Sequence, residues 1–158
     1  MNYPEEFQEY VARVVHVVRR ETYHGETTFR YTFEEKASES DTDFETTYFQ
    51  VQYNTVYNYA RIWVYPEALK AWSRGEHAKI ARLLTHEVCH LFFERLRQWA
   101  ICDAAPSTKR QINDDLESSV EKLAKVIFDL LDLLPEKWYD PAVLAAECDK
   151  SGGKVYWP

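Results

Sequence analysis

The chain has 158 residues and a mass of 18.7 kDa, the size of one ordinary domain, and 46% of its residues are hydrophobic. With only 4 Gly and 6 Pro, this composition excludes a disordered or low-complexity chain, because enough apolar side chains are present to form a core. The formal charge of −7 excludes a broad nucleic-acid or anionic-membrane surface, which requires a basic face. We expect one domain over residues 1–158, with small molecules, metals, peptides or proteins as partners.

The cysteines indicate the redox compartment. They are far apart and form no Cys-x-x-Cys pair: Cys89, Cys102 and Cys148. Such spacing does not give the disulfide framework of a small secreted domain, so we expect reduced thiols. The acidic N-terminus contains no recognisable signal peptide, and no segment approaches the ~18 apolar residues of a membrane span. The sequence therefore predicts a soluble, cytoplasmic protein.

The spacing of hydrophobic residues changes within the first 64 residues of the chain. Apolar residues recur at helical spacing from Phe7 to Val18 and predict an N-terminal helix that ends near residues 23–25. Three segments rich in β-branched and aromatic residues follow, separated by turn residues at 38–41 and at 54: Thr27–Phe33, Glu45–Tyr53 and Tyr57–Val64. We predict that they form a small three-stranded antiparallel sheet.

Helical patterns dominate the rest of the chain. We predict a helix from Pro66 to Arg74, one from about Glu76 to Trp99, one from about Asn113 to Leu134, and a short one at 141–148. Pro66 suits a first helical position and Gly75 follows a helix end, while Asn113 is a plausible N-cap and Pro135 ends its helix. The order of elements indicates an α+β fold.

The long helix carries the most informative motif, Thr85-His86-Glu87-Val88-Cys89-His90. This is a His-Glu-x-x-His sequence, and its i, i+4 spacing places both imidazoles on one helical face, where they can bind one zinc ion. Glu87 is then within reach of a zinc-bound water as a general base. Cys89 lies off the histidine face, and we expect it to pack in the interior.

The helical face that carries His86 and His90 can be interpreted in two ways from its neighbouring residues. Helical projection places both histidines opposite the apolar arc of the helix. A purely solvated face is one interpretation, because charged residues share that side: Lys79, Arg82 and Arg97. Leu83 and Phe93 flank the histidines and indicate partial cover, which favours a metal site.

A zinc site of this type needs a third protein ligand. The remaining histidines are not placed to supply it: His16, His24 and His77. In the following helix, Glu117 lies at the edge of the apolar stripe, where a carboxylate can face a neighbouring helix. Glu121 points further out and is placed for an i, i+4 pair with Lys125. We therefore favour Glu117 as the third ligand, with Glu121 as the second choice.

These features resemble the minimal zincin metallopeptidases of phage and bacterial genomes, including the ImmA/IrrE-like group. Besides the His-Glu-x-x-His helix, the segment Glu117-Ser118-Ser119-Val120-Glu121 is similar to that group's second motif, although the group commonly has Ala-Asn at positions 120–121. The resemblance covers about residues 57–134. It implies a zincin fold in which His86, His90 and Glu117 bind Zn²⁺ and Glu87 is the catalytic base.

The expected activity is hydrolysis of a peptide or protein substrate by zinc-bound water that Glu87 activates. Similar zincins pair an extended substrate with a sheet edge, which implies an edge position for the strand at 57–64, an interior strand being the alternative. Three tyrosines are candidates for the oxyanion donor, and packing in the sheet or the core is the alternative role for each: Tyr57, Tyr59 and Tyr139. One alternative is a catalytically silent zincin-like module that binds zinc and a protein partner, and another is a helical interaction protein in which the motif is fortuitous.

Overall fold

A computed structural model describes residues 2–22, 27–35, 47–54, 57–102, 104–133 and 137–150. These residues form an α+β fold, as predicted, with the following elements: α1 (Glu5–Glu21), β1 (Thr28–Phe33), β2 (Phe49–Asn54), β3 (Tyr59–Val64), α2 (Pro66–Ser73), α3 (His77–Ile101), α4 (Pro106–Leu131) and α5 (Pro141–Lys150). Several predictions concern residues or side chains outside this description: His24, the turn at 38–41, the strand residues 45–46, Pro135 and the thiol of Cys148.

The sheet is mixed, so the prediction of an antiparallel sheet was wrong. Its strand order is β1-β3-β2, with β1 parallel and β2 antiparallel to β3. A short connection joins β2 and β3 into an antiparallel pair, and Asn58 adopts a positive φ of 48° there, which asparagine tolerates. The longer connection at 34–48 allows β1 to pair with the opposite side of β3.

The strand β3 lies in the interior of the sheet. Both of its edges are paired, and its side chains Ala60, Ile62 and Val64 are fully buried. The prediction that the strand at 57–64 offers a free edge to substrate was therefore wrong, and the interior alternative is correct. The edge strand on the motif side is β2, which contacts α3.

Most helix ends lie close to the positions predicted from the sequence. The helix α2 ends before Gly75, whose φ of 73° terminates it as predicted, and α3 ends within two residues of its predicted bound. In contrast, α4 begins at Pro106 and contains Asn113 in its interior, so Asn113 is not a cap. Proline is well suited to a first helical turn, because the N–H that it lacks would have no partner there.

One core orients the motif helix. The apolar face of α1 packs against the sheet and against one face of α3, with fully buried side chains that include Phe7, Val11, Ile80, Leu84 and Val88. On its other side, α3 packs along α4, where Cys89, Val120 and Ala124 form a smaller buried cluster. The motif histidines therefore lie between α3 and α4. No helix among the described residues has the length and hydrophobicity needed to cross a membrane.

Candidate metal centre

The structure brings three side chains together: His86 and His90, which are one turn apart on α3, and Glu117, which lies opposite them on α4. Their ligand atoms all lie within 4.8 Å of one another. The Nε2 atom of His86 lies 2.9 Å from Oε1 of Glu117, the Nε2 atom of His90 lies 3.6 Å from Oε2 of Glu117, and the two Nε2 atoms are 3.1 Å apart. These three residues could hold a metal ion.

The spacing of these atoms matches a metal ligand set. Ligands at about 2.0–2.1 Å from a tetrahedral zinc ion are separated from one another by about 3.4 Å. The separations of 2.9, 3.1 and 3.6 Å lie around this value, although the first and the last involve different oxygens of Glu117. The three residues are therefore close enough to share one ion.

Glu121 lies on the other side of the His86 ring. Its Oε2 is 3.1 Å from Nδ1 of His86, and its Oε1 accepts a hydrogen bond of 3.2 Å from Arg82. The predicted pair with Lys125 is replaced by these two contacts, because α3 brings closer partners to Glu121. A carboxylate on the second ring nitrogen fixes the orientation and tautomer of a metal-binding histidine. The geometry thus makes Glu117 the candidate ligand and places Glu121 where it can orient the His86 ring.

The hydrogen-bond network explains why a cation fits between these groups. A neutral imidazole has only one N–H, whereas both ring nitrogens of His86 face a carboxylate: Nδ1 lies 3.1 Å from Glu121 and Nε2 lies 2.9 Å from Glu117. One of these two contacts therefore sets two acceptors against each other unless a second proton or a metal ion lies between them. The donor set therefore has the chemistry of a cation site.

Glu87 lies beside these groups with its side chain partly buried. Its Oε2 accepts a hydrogen bond of 2.8 Å from the backbone N–H of Val51 in β2. Burial raises the pKa of Glu87 to about 8, in opposition to the hydrogen bond from Val51. Burial also lowers the pKa of His90, which favours the neutral imidazole that metal binding requires.

An open groove runs past the three candidate ligands, between α3, α4 and β2. It consists of a cavity of about 610 Å³ beside His86 and one of about 370 Å³ beyond His90. The two cavities share Glu87, His90 and Glu117 in their walls. The candidate centre is therefore accessible from both directions along the edge strand.

The three tyrosines predicted as oxyanion donors lie away from this groove. Tyr57 is 79% exposed in the β2–β3 turn, and the hydroxyl of Tyr59 accepts an exposed hydrogen bond from Arg61. Tyr139 stacks on Phe128 at the C-terminal side of α4. The three tyrosines are therefore not placed to serve as that donor. Tyr53 in β2 and Tyr48, directly before β2, lie in the groove walls instead.

Sequence reasoning missed two groups that hold the candidate site in place. Arg82 precedes His86 by one helical turn, and that i, i+4 spacing is a signal that could have revealed a common acidic partner. The N–H of Val51 has no signal in the sequence, since every residue other than proline offers one. Cys89 is a free, fully buried cysteine, as the packing prediction requires.

Comparison with known proteins identifies no relatives of this chain. No protein-family model matches the chain, and no curated protein or solved structure matches it significantly. The functional argument therefore rests on the residues of the site.

Proposed function

We propose that this protein is a zinc-dependent peptidase with a zincin-like active site. The observation that carries the proposal is the convergence of His86, His90 and Glu117 on one point, with Glu87 next to it in an open groove. In this assignment Glu121 orients His86 and is not a ligand.

The donor set supports zinc as the metal. Two imidazole nitrogens and one carboxylate oxygen form a borderline set that suits Zn²⁺ and leaves a fourth position open, as in catalytic zinc sites. When bound, zinc supplies a Lewis acid that polarises a substrate carbonyl and lowers the pKa of water towards ~7.

Glu87 is the proposed general base. It takes a proton from the attacking water and returns that proton to the leaving amine, so that one peptide bond and one water give a carboxylic acid and an amine. The hydrogen bond from Val51 to Oε2 holds the carboxylate in one orientation during both transfers.

The edge strand β2 supports an extended peptide or protein as the substrate. Because Val51 directs its N–H towards Glu87, away from β3, alternation along the strand also directs the backbone groups of Phe49 and Tyr53 outwards. Outward N–H and C=O groups can pair with an extended chain whatever its sequence. The free thiols of Cys89 and Cys102 support a reducing compartment, and we assign the activity to the cytoplasm.

A catalytically silent zinc module is the competing function. Such a module requires the three ligands but has no use for a carboxylate that a backbone hydrogen bond orients beside them. It also has no use for a groove open on both sides of the ligands. These two features favour the peptidase.

The experiment compares zinc-loaded wild-type protein with Glu87→Gln on a mixture of unstructured peptides, with hydrolysis followed by mass spectrometry. We expect both proteins to contain about one zinc ion per chain, and hydrolysis to fall about 10²–10⁴-fold in the variant. The matched control is Glu67→Gln on α2, which makes the same chemical change away from the groove. Equal hydrolysis by Glu87→Gln and wild type would contradict the proposed base, whereas metal binding without any hydrolysis would favour the silent module.

A further inference from the structure

We infer that the groove selects extended peptides that carry an acidic side chain on the His86 side of the scissile bond and an apolar side chain on the His90 side. This inference rests on the proposed function, because it names the substrate class of the same site. It is carried by the different charges of the two halves of the groove.

The groove has two halves, and α3, α4 and the β2 region contribute to the walls of both. Beside His86 the walls come from the start of β2, the first turns of α3 and the middle of α4; we call this half the cationic arm, after Lys79, Arg82 and Lys125. Beyond His90 they come from the rest of β2, the last turns of α3 and the first half of α4; we call this half the apolar arm, after Phe93, Leu116 and Val120. A peptide extended along β2 therefore passes through both arms, with the candidate metal centre between them.

Three carboxylates also line the cationic arm, but Glu87 and Glu117 lie at the candidate metal centre, where a bound Zn²⁺ would offset their charge. Arg82 is paired with Glu121. The ammonium of Lys79 donates to the Tyr48 hydroxyl at 2.7 Å and lies 3.6 Å from Glu76, but Glu76 also pairs with Arg74. Lys125 makes no ion pair within the part of the chain that the structure describes. Lys125 is thus available to bind an acidic side chain, and the charge of Lys79 is only partly neutralised by the shared Glu76.

The apolar arm offers no such charge. Arg97 and Glu94 form a two-fold hydrogen-bonded pair at 2.8 and 2.7 Å, which neutralises both groups. Among the apolar residues of this arm, Val120 is fully buried, whereas Phe93 and Leu116 are partly exposed. An apolar side chain of the substrate gains by covering Phe93 and Leu116, whereas a charged one finds the Arg97–Glu94 pair already neutralised.

The two lysines, Lys79 and Lys125, have the opposite sign to the net charge of the whole chain. A net charge of −7 favours basic or neutral substrates at long range, whereas the two lysines favour acidic ones at contact distance. Because exposed charges are screened by salt, the acidic preference should weaken as the ionic strength rises.

The test measures binding separately from hydrolysis. Zinc-loaded Glu87→Gln is titrated with fluorescein-labelled octapeptides of Ala and Gly that contain Glu, Gln or Lys at one central position and Leu or Asn at the next, in both orders. We expect the Glu/Leu peptide of one order to bind about fivefold or more tightly than its Lys/Leu counterpart, and replacement of Leu by Asn to weaken binding. The double variant Lys79→Glu/Lys125→Glu should reverse the charge preference. Lys122→Glu, on an exposed position of α4 outside the groove, is the matched control and should leave it unchanged.

The outcomes separate this inference from the proposed function. Equal binding of Glu and Lys peptides in both orders, or an effect of Lys122→Glu as large as that of the double variant, would overturn the inference. Hydrolysis by wild-type protein that shows no acidic preference would overturn it also, while leaving the peptidase in place. If wild-type protein cleaves no peptide but the binding preference and its reversal are found, the proposed function fails and the inferred groove specificity stands.

Discussion

The Nε2 atom of His86 lies 2.9 Å from the carboxylate of Glu117, while the opposite nitrogen of the same ring faces Glu121 at 3.1 Å. The two glutamates, four residues apart on α4, therefore contact different atoms of one histidine. Only Glu117 also approaches Nε2 of His90. This difference separates the candidate metal ligand, Glu117, from the candidate orienting group, Glu121.

Replacing the two glutamates should therefore have unequal effects on zinc affinity. Removing an orienting carboxylate typically weakens metal binding about 10–100-fold, so we expect that loss for Glu121→Gln. Glu117→Gln should weaken binding further, because a ligand is lost. Competition with a chromophoric chelator measures both affinities. A larger loss in Glu121→Gln than in Glu117→Gln would exchange the two roles.

The hydrogen bond from Val51 to Glu87 can be removed without disturbing the sheet. Because this N–H points away from β3, Val51→Pro removes no ladder hydrogen bond, and proline is tolerated at a sheet edge. We expect zinc content to be retained and hydrolysis to fall about 10–100-fold as Glu87 loses its orientation. The control is Gln52→Pro, whose N–H faces β3, so that its main effect should be a lower thermal midpoint. Unchanged hydrolysis by Val51→Pro would show that this contact does not position the base.

The core face of α3 should contribute to stability independently of the metal. Leu84 is fully buried in the core that α3 shares with α1 and the sheet, so Leu84→Ala should lower the free energy of unfolding by about 2–5 kcal/mol. Leu96 on the same helix is 57% exposed, and Leu96→Ala should change it by less than about 0.5 kcal/mol. Urea denaturation of the metal-free proteins measures both changes, and comparable losses would contradict the described burial.

His16 on α1 should make stability depend on pH. Burial, assisted by Arg19 and Arg20, lowers the pKa of His16 in the folded protein. His16 therefore binds a proton more tightly in the unfolded chain than in the folded protein. Its contribution to the free energy of unfolding is fully present above about pH 6.5 and is lost as the pH falls towards the pKa of His16 in the folded protein. We expect the free energy of unfolding of metal-free wild type to fall more steeply between pH 7 and 5 than that of His16→Gln. Parallel pH curves for the two proteins would rule out this contribution.

The local chemistry of the site was predictable because it depends on spacing along single helices. The i, i+4 separation of His86 and His90 sets their common face, and the position of Glu117 beside the apolar stripe of α4 sets its approach to α3. Cys89 was predictable for the same reason, since its position on the helix directs it into the α3–α4 interface.

The arrangement of the sheet was not predictable in the same way. Strand order depends on which partner each strand finds across the long connection at 34–48, and side-chain alternation in β3 fits an edge strand and a central strand equally well. This error also displaced the predicted substrate edge from β2 to β3. Tertiary contacts such as that of Glu121 with Arg82 likewise follow only from how α3 and α4 pack.

The most direct test is a crystal structure of zinc-loaded protein with anomalous scattering data collected on both sides of the zinc absorption edge. The account predicts one anomalous peak per chain, at about 2.0–2.2 Å from Nε2 of His86, Nε2 of His90 and an oxygen of Glu117, with Glu87 beside the open position. A peak bound by Glu121 in place of Glu117, or no peak between α3 and α4 in crystals that contain stoichiometric zinc, would contradict it.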